Sequence, residues 1–230
     1  ITLIGAEPGL PYQRPPLSKA VLKTGEAGKL VLRPQSFFDK NAIDYLSETW
    51  VGEIDRVPAE LRPGSRRFAY DRVIPATGTR NLRPPIKGVE AALDLRTLAD
   101  AAALRAALDQ PRRVAVIGGG FIGLEFAAVA RGLGHEVSVA EAAPRLMARA
   151  VSPMMSERFL SLHQELGTSV FLGTPVVGVS GSGIELADGA TIAADLVLLA
   201  AGVRPNVELA EAAELTVHNG IALDARLPTS

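Results

Sequence analysis

The hydrophobic pattern of the chain changes character near residue 110. Before it, apolar positions come in short groups. Ile1-Thr2-Leu3-Ile4-Gly5 reads as an opening strand, and Leu17 to Leu22 as a short helix behind Pro15-Pro16, because proline suits a first helical position. Weaker strand patterns follow around Ile43–Leu46, Val51–Ile54 and Phe68–Ile74, with the turn signal Pro63-Gly64 before the last. The alanine-rich, leucine-spaced run Thr97–Leu108 predicts a helix that ends before Gln110-Pro111. Beyond this point the pattern is regular. Val114–Ile117 is a continuous apolar run, as in parallel strands buried on both faces. It is followed by a helix over Phe121–Arg131 stopped by Gly132 and Gly134, a strand Glu136–Ala140 ending at Glu141, a helix Pro153–Glu165 and a strand Ser169–Leu172. That order is βαβαβ. From Val176 to Ile192, short apolar groups alternate with Gly181-Ser182-Gly183 and Asp188-Gly189, which predicts a β-meander. Leu196–Leu199 returns as a buried strand, and Asp224 is expected back in the first unit. The fold class predicted is α/β, with two doubly wound Rossmann-like units bearing β-meander insertions. The first unit is read as 1–110 continued by 222–230, and the second as 111–221.

Composition narrows the chemistry. With 47% hydrophobic residues over 230 positions there is material for a sizeable core. The 24 basic and 25 acidic side chains nearly cancel, so no global field draws in nucleic acid or an anionic membrane, and neither is expected as a partner. No apolar run reaches eighteen residues, so no transmembrane helix is predicted and the cytoplasm is the expected location. The absence of cysteine removes disulfides, thiolate metal sites and thiol nucleophiles from this chain. His135, His163 and His218 are not at metal-ligand spacing, and neither a role for them nor a metal is predicted. The opening on a strand without methionine, and the close at Leu227–Ser230 without a capping element, lead us to expect a piece of a longer protein.

Ile117-Gly118-Gly119-Gly120-Phe121-Ile122-Gly123 fits G-x-G-x-x-G at Gly118, Gly120 and Gly123. Gly118 permits the tight turn, Gly120 lets backbone amides approach a pyrophosphate, and Gly123 allows close packing of helix on strand. The pyrophosphate would sit at the helix N-terminus, where free N–H groups and the positive dipole end attract anions, with Ile122 in the first turn. Taken alone the pattern also fits a ligand-free turn. Its context favours nucleotide binding: a buried strand precedes it, a helix follows, and Glu141 ends the next strand about 20 residues on. A carboxylate there can accept both hydroxyls of an adenosine ribose, at roughly 1.5–3 kcal/mol for charged hydrogen bonds. A 2′-phosphate would meet like charge, at a cost of up to about 4 kcal/mol per charge pair. NADH is therefore preferred over NADPH, although Arg145 and Arg149 nearby offer a phosphate some compensation. Glu125, one turn into the helix, is either a plain helix-face residue or a contact for nicotinamide.

Several further segments resemble a known family, the FAD-dependent, NADH-linked ferredoxin, rubredoxin and putidaredoxin reductases. They are Pro11-Tyr12-Gln13-Arg14-Pro15-Pro16-Leu17-Ser18-Lys19, Ala76-Thr77-Gly78-Thr79-Arg80, Leu95-Arg96-Thr97-Leu98, the glycine motif with Glu125 and Glu141, and Ala201-Gly202-Val203-Arg204-Pro205-Asn206. The resemblance covers essentially the whole chain. It implies that Glu7 binds the adenosine ribose of FAD, and that Arg14, Pro15 and Lys19 lie at its diphosphate and flavin ring. It further implies that Ala76, Thr77 and Gly78 pass beside FAD; Arg149 and Gly202 are also taken as cofactor-binding. Residues 1–110 would then form an incomplete FAD unit and 111–221 the NAD unit. A first glycine motif would precede Ile1 and a Gly-Asp strand would follow Ser230, while Pro75 stands in a strand where an aliphatic residue is usual.

The reaction implied is hydride transfer from NADH to flavin N5, followed by single-electron transfer to a ferredoxin-type iron–sulfur protein of an oxygenase or P450 system. Lys19 and Glu125 are the candidates for catalytic positioning and tuning. The alternatives are the flavin module of a nitrite reductase, or an NADH-responsive interaction protein resembling apoptosis-inducing factors. Arg80, Arg83 and Lys87 are either a solvated basic loop or a surface for an acidic ferredoxin.

Overall fold

A computed structural model describes residues 1–226 and Thr229. By packing, the chain forms two compact units: one of residues 1–13, 30–80 and the stretch from Val203 onward, the other of residues 14–29 and 81–202. Leu227, Pro228 and Ser230, part of the predicted return segment 222–230, lie outside the described residues. Asp224 belongs to the first unit. By packing, the first unit takes in the chain from Val203 onward, and the excursion Arg14–Lys29 goes with residues 81–202.

The second unit is built on a four-stranded parallel sheet in the order Leu196–Leu199, Arg113–Ile117, Glu136–Glu141, Ser169–Leu172. The earliest strand is central, with the latest on one side and the second and third on the other, so the strand order reverses beside Ile117. In such sheets ligands bind outside the carboxyl ends of the strands at this reversal. The central strand is buried on both faces because each face has its own cover. Val116 faces the helix Phe121–Gly132, which buries Leu124, Phe126, Ala127, Val129 and Ala130. Ala115 and Ile117, on the alternate face, pack with Val197 and Leu199 against Val179, Ile184, Leu186 and Ile192 of the meander. That meander is antiparallel, with strands Val176–Ser180, Gly183–Leu186 and Thr191–Ala193.

Helix Leu98–Ala107 begins at a reciprocal capping box. Thr97 Oγ1 accepts the Asp100 N–H at 3.1 Å, and Asp100 Oδ2 accepts the Thr97 N–H at 2.8 Å. Helix Pro153–Glu165 starts with Ser152 as cap and proline in the first turn. The predicted helix Leu17–Leu22 is a π-turn over Leu17–Val21 that continues into one α-turn, Leu22–Thr24. Its wider winding closes with Val21 N–H donating to Pro16 O at 3.1 Å. Leu17, Val21 and Leu22 are buried, and the segment packs against helices Leu98–Ala107 and Phe121–Gly132.

In the first unit Thr2–Ile4 pairs in parallel with Asp44–Leu46. An antiparallel meander follows, with strands Glu53–Asp55, Glu60–Arg62 and Phe68–Ala69. The strand expected over Phe68–Ile74 therefore stops at Ala69, and no strand contains Pro75. Proline has no N–H to give a ladder, and the adjacent Ile74 is 88% exposed. Among the elements not predicted, Glu60–Arg62 has a single apolar side chain, Leu61, which pairs with Ile54, and Arg62 donates to Glu53 and Asp55 across the strands. Another, helix Gln35–Lys40, spans only six residues, too few to display a helical period. No helix among the described residues is long and apolar enough to cross a membrane.

Candidate functional site

At the carboxyl end of the central strand the glycine turn takes the form its sequence requires. Gly118 has φ +111°, and a Cβ there would lie 2.4 Å from Ala200 O. A Cβ on Gly123 would lie 2.1 Å from Gly118 O, so only glycine lets the helix approach this closely. Gly120, the helix N-cap, differs: beyond its two chain neighbours nothing lies within 4 Å of where its Cβ would be, and no side chain caps the helix. The first-turn amides thus have no side-chain cap, the condition an anion-binding helix terminus needs. Ile122 in that turn is 37% exposed.

Glu141 is bound into this turn. Its Oε2 accepts the Gly119 N–H at 2.7 Å, and its Oε1 accepts the Ala143 N–H at 2.8 Å. Each carboxylate oxygen keeps acceptor capacity beyond the one bond it receives, so the group is fixed in place and still able to accept hydroxyls. Gly119 is an unspecified position of the motif, yet a Cβ on it would fall 2.5 Å from Leu146 Cδ2.

The two nearby arginines separate in role. Arg145 donates to Val151 O, Ser156 Oγ and Ala148 O at 2.9, 2.8 and 2.6 Å, holding the loop after the strand. Its guanidinium is therefore committed, which removes one of the two groups that offered compensation to a 2′-phosphate. Arg149 is exposed, and its guanidinium would be 3.5 Å from a Cβ on Gly202, which has φ +107°.

On the second unit's other candidate cluster, residues more than a hundred positions apart meet. Lys19 Nζ donates to Glu125 Oε2 at 2.7 Å and to Pro15 O at 3.2 Å. Ser18, not among the predicted site residues, donates its hydroxyl to the same Glu125 Oε2 at 2.5 Å. Ser18 stands inside the quoted motif, but nothing local in the sequence reveals a partner on another helix. Arg14 Nη1 donates to Arg96 O at 2.6 Å, which joins two of the motif segments within this unit.

In the first unit Glu7 accepts the Tyr12 hydroxyl. Burial, and then the Glu7 charge, raise the Tyr45 hydroxyl above the ordinary tyrosine pKa. Both tyrosines escaped the prediction. Residues 76–78 are secured by Asn206: Thr77 Oγ1 donates to Asn206 O at 2.6 Å, Asn206 Nδ2 to Thr77 O at 2.8 Å, and Asn206 N–H to Gly78 O at 3.0 Å. Ala76 is exposed beside them, and Gly78 has φ +68° with open space at its Cβ position. Arg80 pairs with Asn206 Oδ1 and Glu208, and Arg83 with Asp94 and Val89 O, so neither guanidinium belongs to a simply solvated loop.

A doubly wound sheet with a glycine turn, an uncapped helix terminus and a strand-end carboxylate defines a dinucleotide-binding protein. The chain belongs to the pyridine nucleotide-disulphide oxidoreductase family, whose match runs over residues 1–230. It is 41% identical to rhodocoxin reductase of Rhodococcus erythropolis, across 100% of this chain and 56% of that protein. It is also 41% identical to the ferredoxin–NAD(+) reductase component of the anthranilate 1,2-dioxygenase system of Burkholderia cepacia, across 100% of this chain and 59% of that one. Among solved structures, the ferredoxin reductase for the CYP199A2 system from Rhodopseudomonas palustris superposes with a TM-score of 0.96 at 42% identity, covering 100% of this chain and 59% of its own. The chain thus spans less than two thirds of the length of these relatives.

Proposed function

We propose that this chain is the NADH-binding and part of the FAD-binding portion of a ferredoxin-type reductase. When bound, FAD would take a hydride from NADH and pass electrons singly to an iron–sulfur protein. Everything else is positioning by the chain. Gly118, Gly120 and Gly123 would admit the NAD pyrophosphate, and the free first-turn amides beside Ile122 would hold it. Glu141, with Arg149 and Gly202 nearby, would receive the adenosine end. Toward FAD, the first unit offers Glu7 for the ribose and Ala76, Thr77 and Gly78 as a backbone segment, while the second offers Arg14, Pro15 and Lys19. In this scheme residues 1–110 with 222–230 act toward FAD and 111–221 toward NAD.

The observation that carries the reading is the pairing of Glu141 with the glycine turn. A carboxylate locked at 2.7 Å to the Gly119 N–H places fixed negative charge where a ribose 2′ position is expected, which favours NADH over NADPH. Arg145, bound to its own loop, leaves that charge less compensated. The Lys19–Glu125 pair supports the flavin side: with side chains 52% and 32% exposed it adds little to stability, and its use lies in orienting charge. The relatives' names favour reduction of a ferredoxin, rhodocoxin or similar carrier over the nitrite reductase and interaction-protein alternatives. The cytoplasmic location predicted from the sequence goes with this reading. The test is the visible spectrum of the full chain before and after anaerobic NADH. A flavin band bleached by NADH and much less by NADPH is expected; a flavin-bearing protein that NADH leaves oxidised overturns the proposal.

A further inference from the structure

Ser18 carries a feature that neither the glycine motif nor the Lys19–Glu125 pair explains. It is buried at 6% exposure, in the π-turn that opens the segment ahead of its single α-turn. π-turns cost hydrogen-bond geometry and gather at functional sites. Here the wider turn lets two successive residues, Ser18 and Lys19, reach one oxygen of Glu125 on another helix. A hydroxyl has one proton to give. Pro15 O stands 3.5 Å away and Glu125 Oε2 2.5 Å, and the shorter contact goes to the charged acceptor. Among the described residues both donors fall on Oε2 and none on Oε1. The half-exposed lysine stem can follow the carboxylate as it turns about its last bond; a second donor on the short, buried Ser18 side chain cannot, and so holds it in place.

We infer that Ser18 is a positioning residue for the nicotinamide end of the nucleotide site. Its hydroxyl holds Glu125 through Oε2 and keeps Oε1 available to an N–H donor, which in a pyridine nucleotide is the carboxamide. This rests on the function proposed above. The two adjacent residues then differ in what they give Glu125: Lys19 supplies charge, Ser18 supplies orientation.

The experiment is titration of the full chain with NAD+ and with ADP-ribose, which shares the adenosine and pyrophosphate but lacks nicotinamide. Wild type, Ser18→Ala and Ser18→Thr are compared, with thermal melting as a check on folding. Ser18→Ala is expected to weaken NAD+ about tenfold, as for loss of a hydrogen bond to a charged group, and to leave ADP-ribose unchanged. Ser18→Thr, which keeps the hydroxyl, restores NAD+ binding to within about twofold of wild type, well inside one such bond. Unchanged NAD+ binding in Ser18→Ala overturns the inference, and so does an equal loss for both ligands, which marks a merely structural serine. A wild-type chain that binds neither ligand overturns the function itself, an outcome distinct from either.

Discussion

Gly120 and Gly123 sit three residues apart in one turn, yet alanine at each should have opposite signatures. At Gly123 the added Cβ would lie 2.1 Å from Gly118 O, 3.2 Å from Val116 Cγ1 and 3.3 Å from Ala200 Cβ. The first contact is with a backbone oxygen that no rotamer change can move, so the helix must shift off the sheet. Such overpacking costs about 1–3 kcal/mol. For a chain of this size that is a melting-point loss of roughly 2–12 °C. At Gly120 nothing beyond the two chain neighbours lies within 4 Å of the new methyl, and φ is −85°, which alanine adopts freely. The protein should lose only the preference for glycine over alanine at an N-cap, about 0.5–1 kcal/mol. Its methyl would instead stand in the space assigned to the pyrophosphate. Gly120→Ala should therefore keep its melting point within about 4 °C of wild type while NAD+ affinity falls by on the order of a hundredfold, the loss of about two charge-assisted hydrogen bonds. Differential scanning fluorimetry and NAD+ titration on the same samples give both numbers. Gly120→Ala that binds NAD+ like wild type would refute the placement of the anion over this helix terminus.

Three other expectations follow from the same structure. Glu141→Gln should reduce the preference for NADH over NADPH about tenfold or more, since the like charge facing a 2′-phosphate is gone; the ratio of kcat/KM values for the two coenzymes measures it. Asn206→Ala strips partners from Thr77 O and Arg80 at once, and should cost about 1–3 kcal/mol in a urea-unfolding series. Burial pushes the His163 imidazole below its ordinary pKa, and chiefly burial does the same for His135. The unfolded chain then binds protons first as pH falls, so stability is full above about pH 6.5 and declines below it until the folded histidines also protonate. Urea midpoints at pH 8, 7, 6 and 5.5 should show this fall, and His163→Gln should lessen it.

How much of this was legible in the sequence depends on the range of the interaction. Val114–Ile117, the glycine turn and Glu141 announce themselves because each is a local pattern with one steric or burial reason. The strand Glu60–Arg62 is silent because its one apolar residue, Leu61, is too short a pattern to read, and its ion-pair partners Glu53 and Asp55 lie on another strand. Helix Gln35–Lys40 holds the edge-on pair Phe37–Phe38, adjacent residues that fit no helical stripe. The Ser18–Glu125 bond spans 107 positions, and the Tyr12 and Tyr45 neighbours of Glu7 come from separate segments. Motif reading finds the backbone that a ligand demands. It does not find the side chains that hold other side chains in place.

Glu141 has a consequence for how such a protein changes coenzyme over evolution. The same carboxylate proposed to face the ribose also ties the glycine turn to the loop after its own strand, through Gly119 on one oxygen and Ala143 on the other. A neutral replacement does not simply relax selectivity; it takes the acceptor from the Gly119 amide of the glycine turn and from the Ala143 amide of the loop after the strand. An amide side chain restores one and turns its own N–H₂ toward the other. The route toward NADPH therefore descends through a loosened loop before any new phosphate ligand can help. A lineage, or a laboratory selection, crosses that valley only if the substitution that mends the turn arrives before or with the one at Glu141.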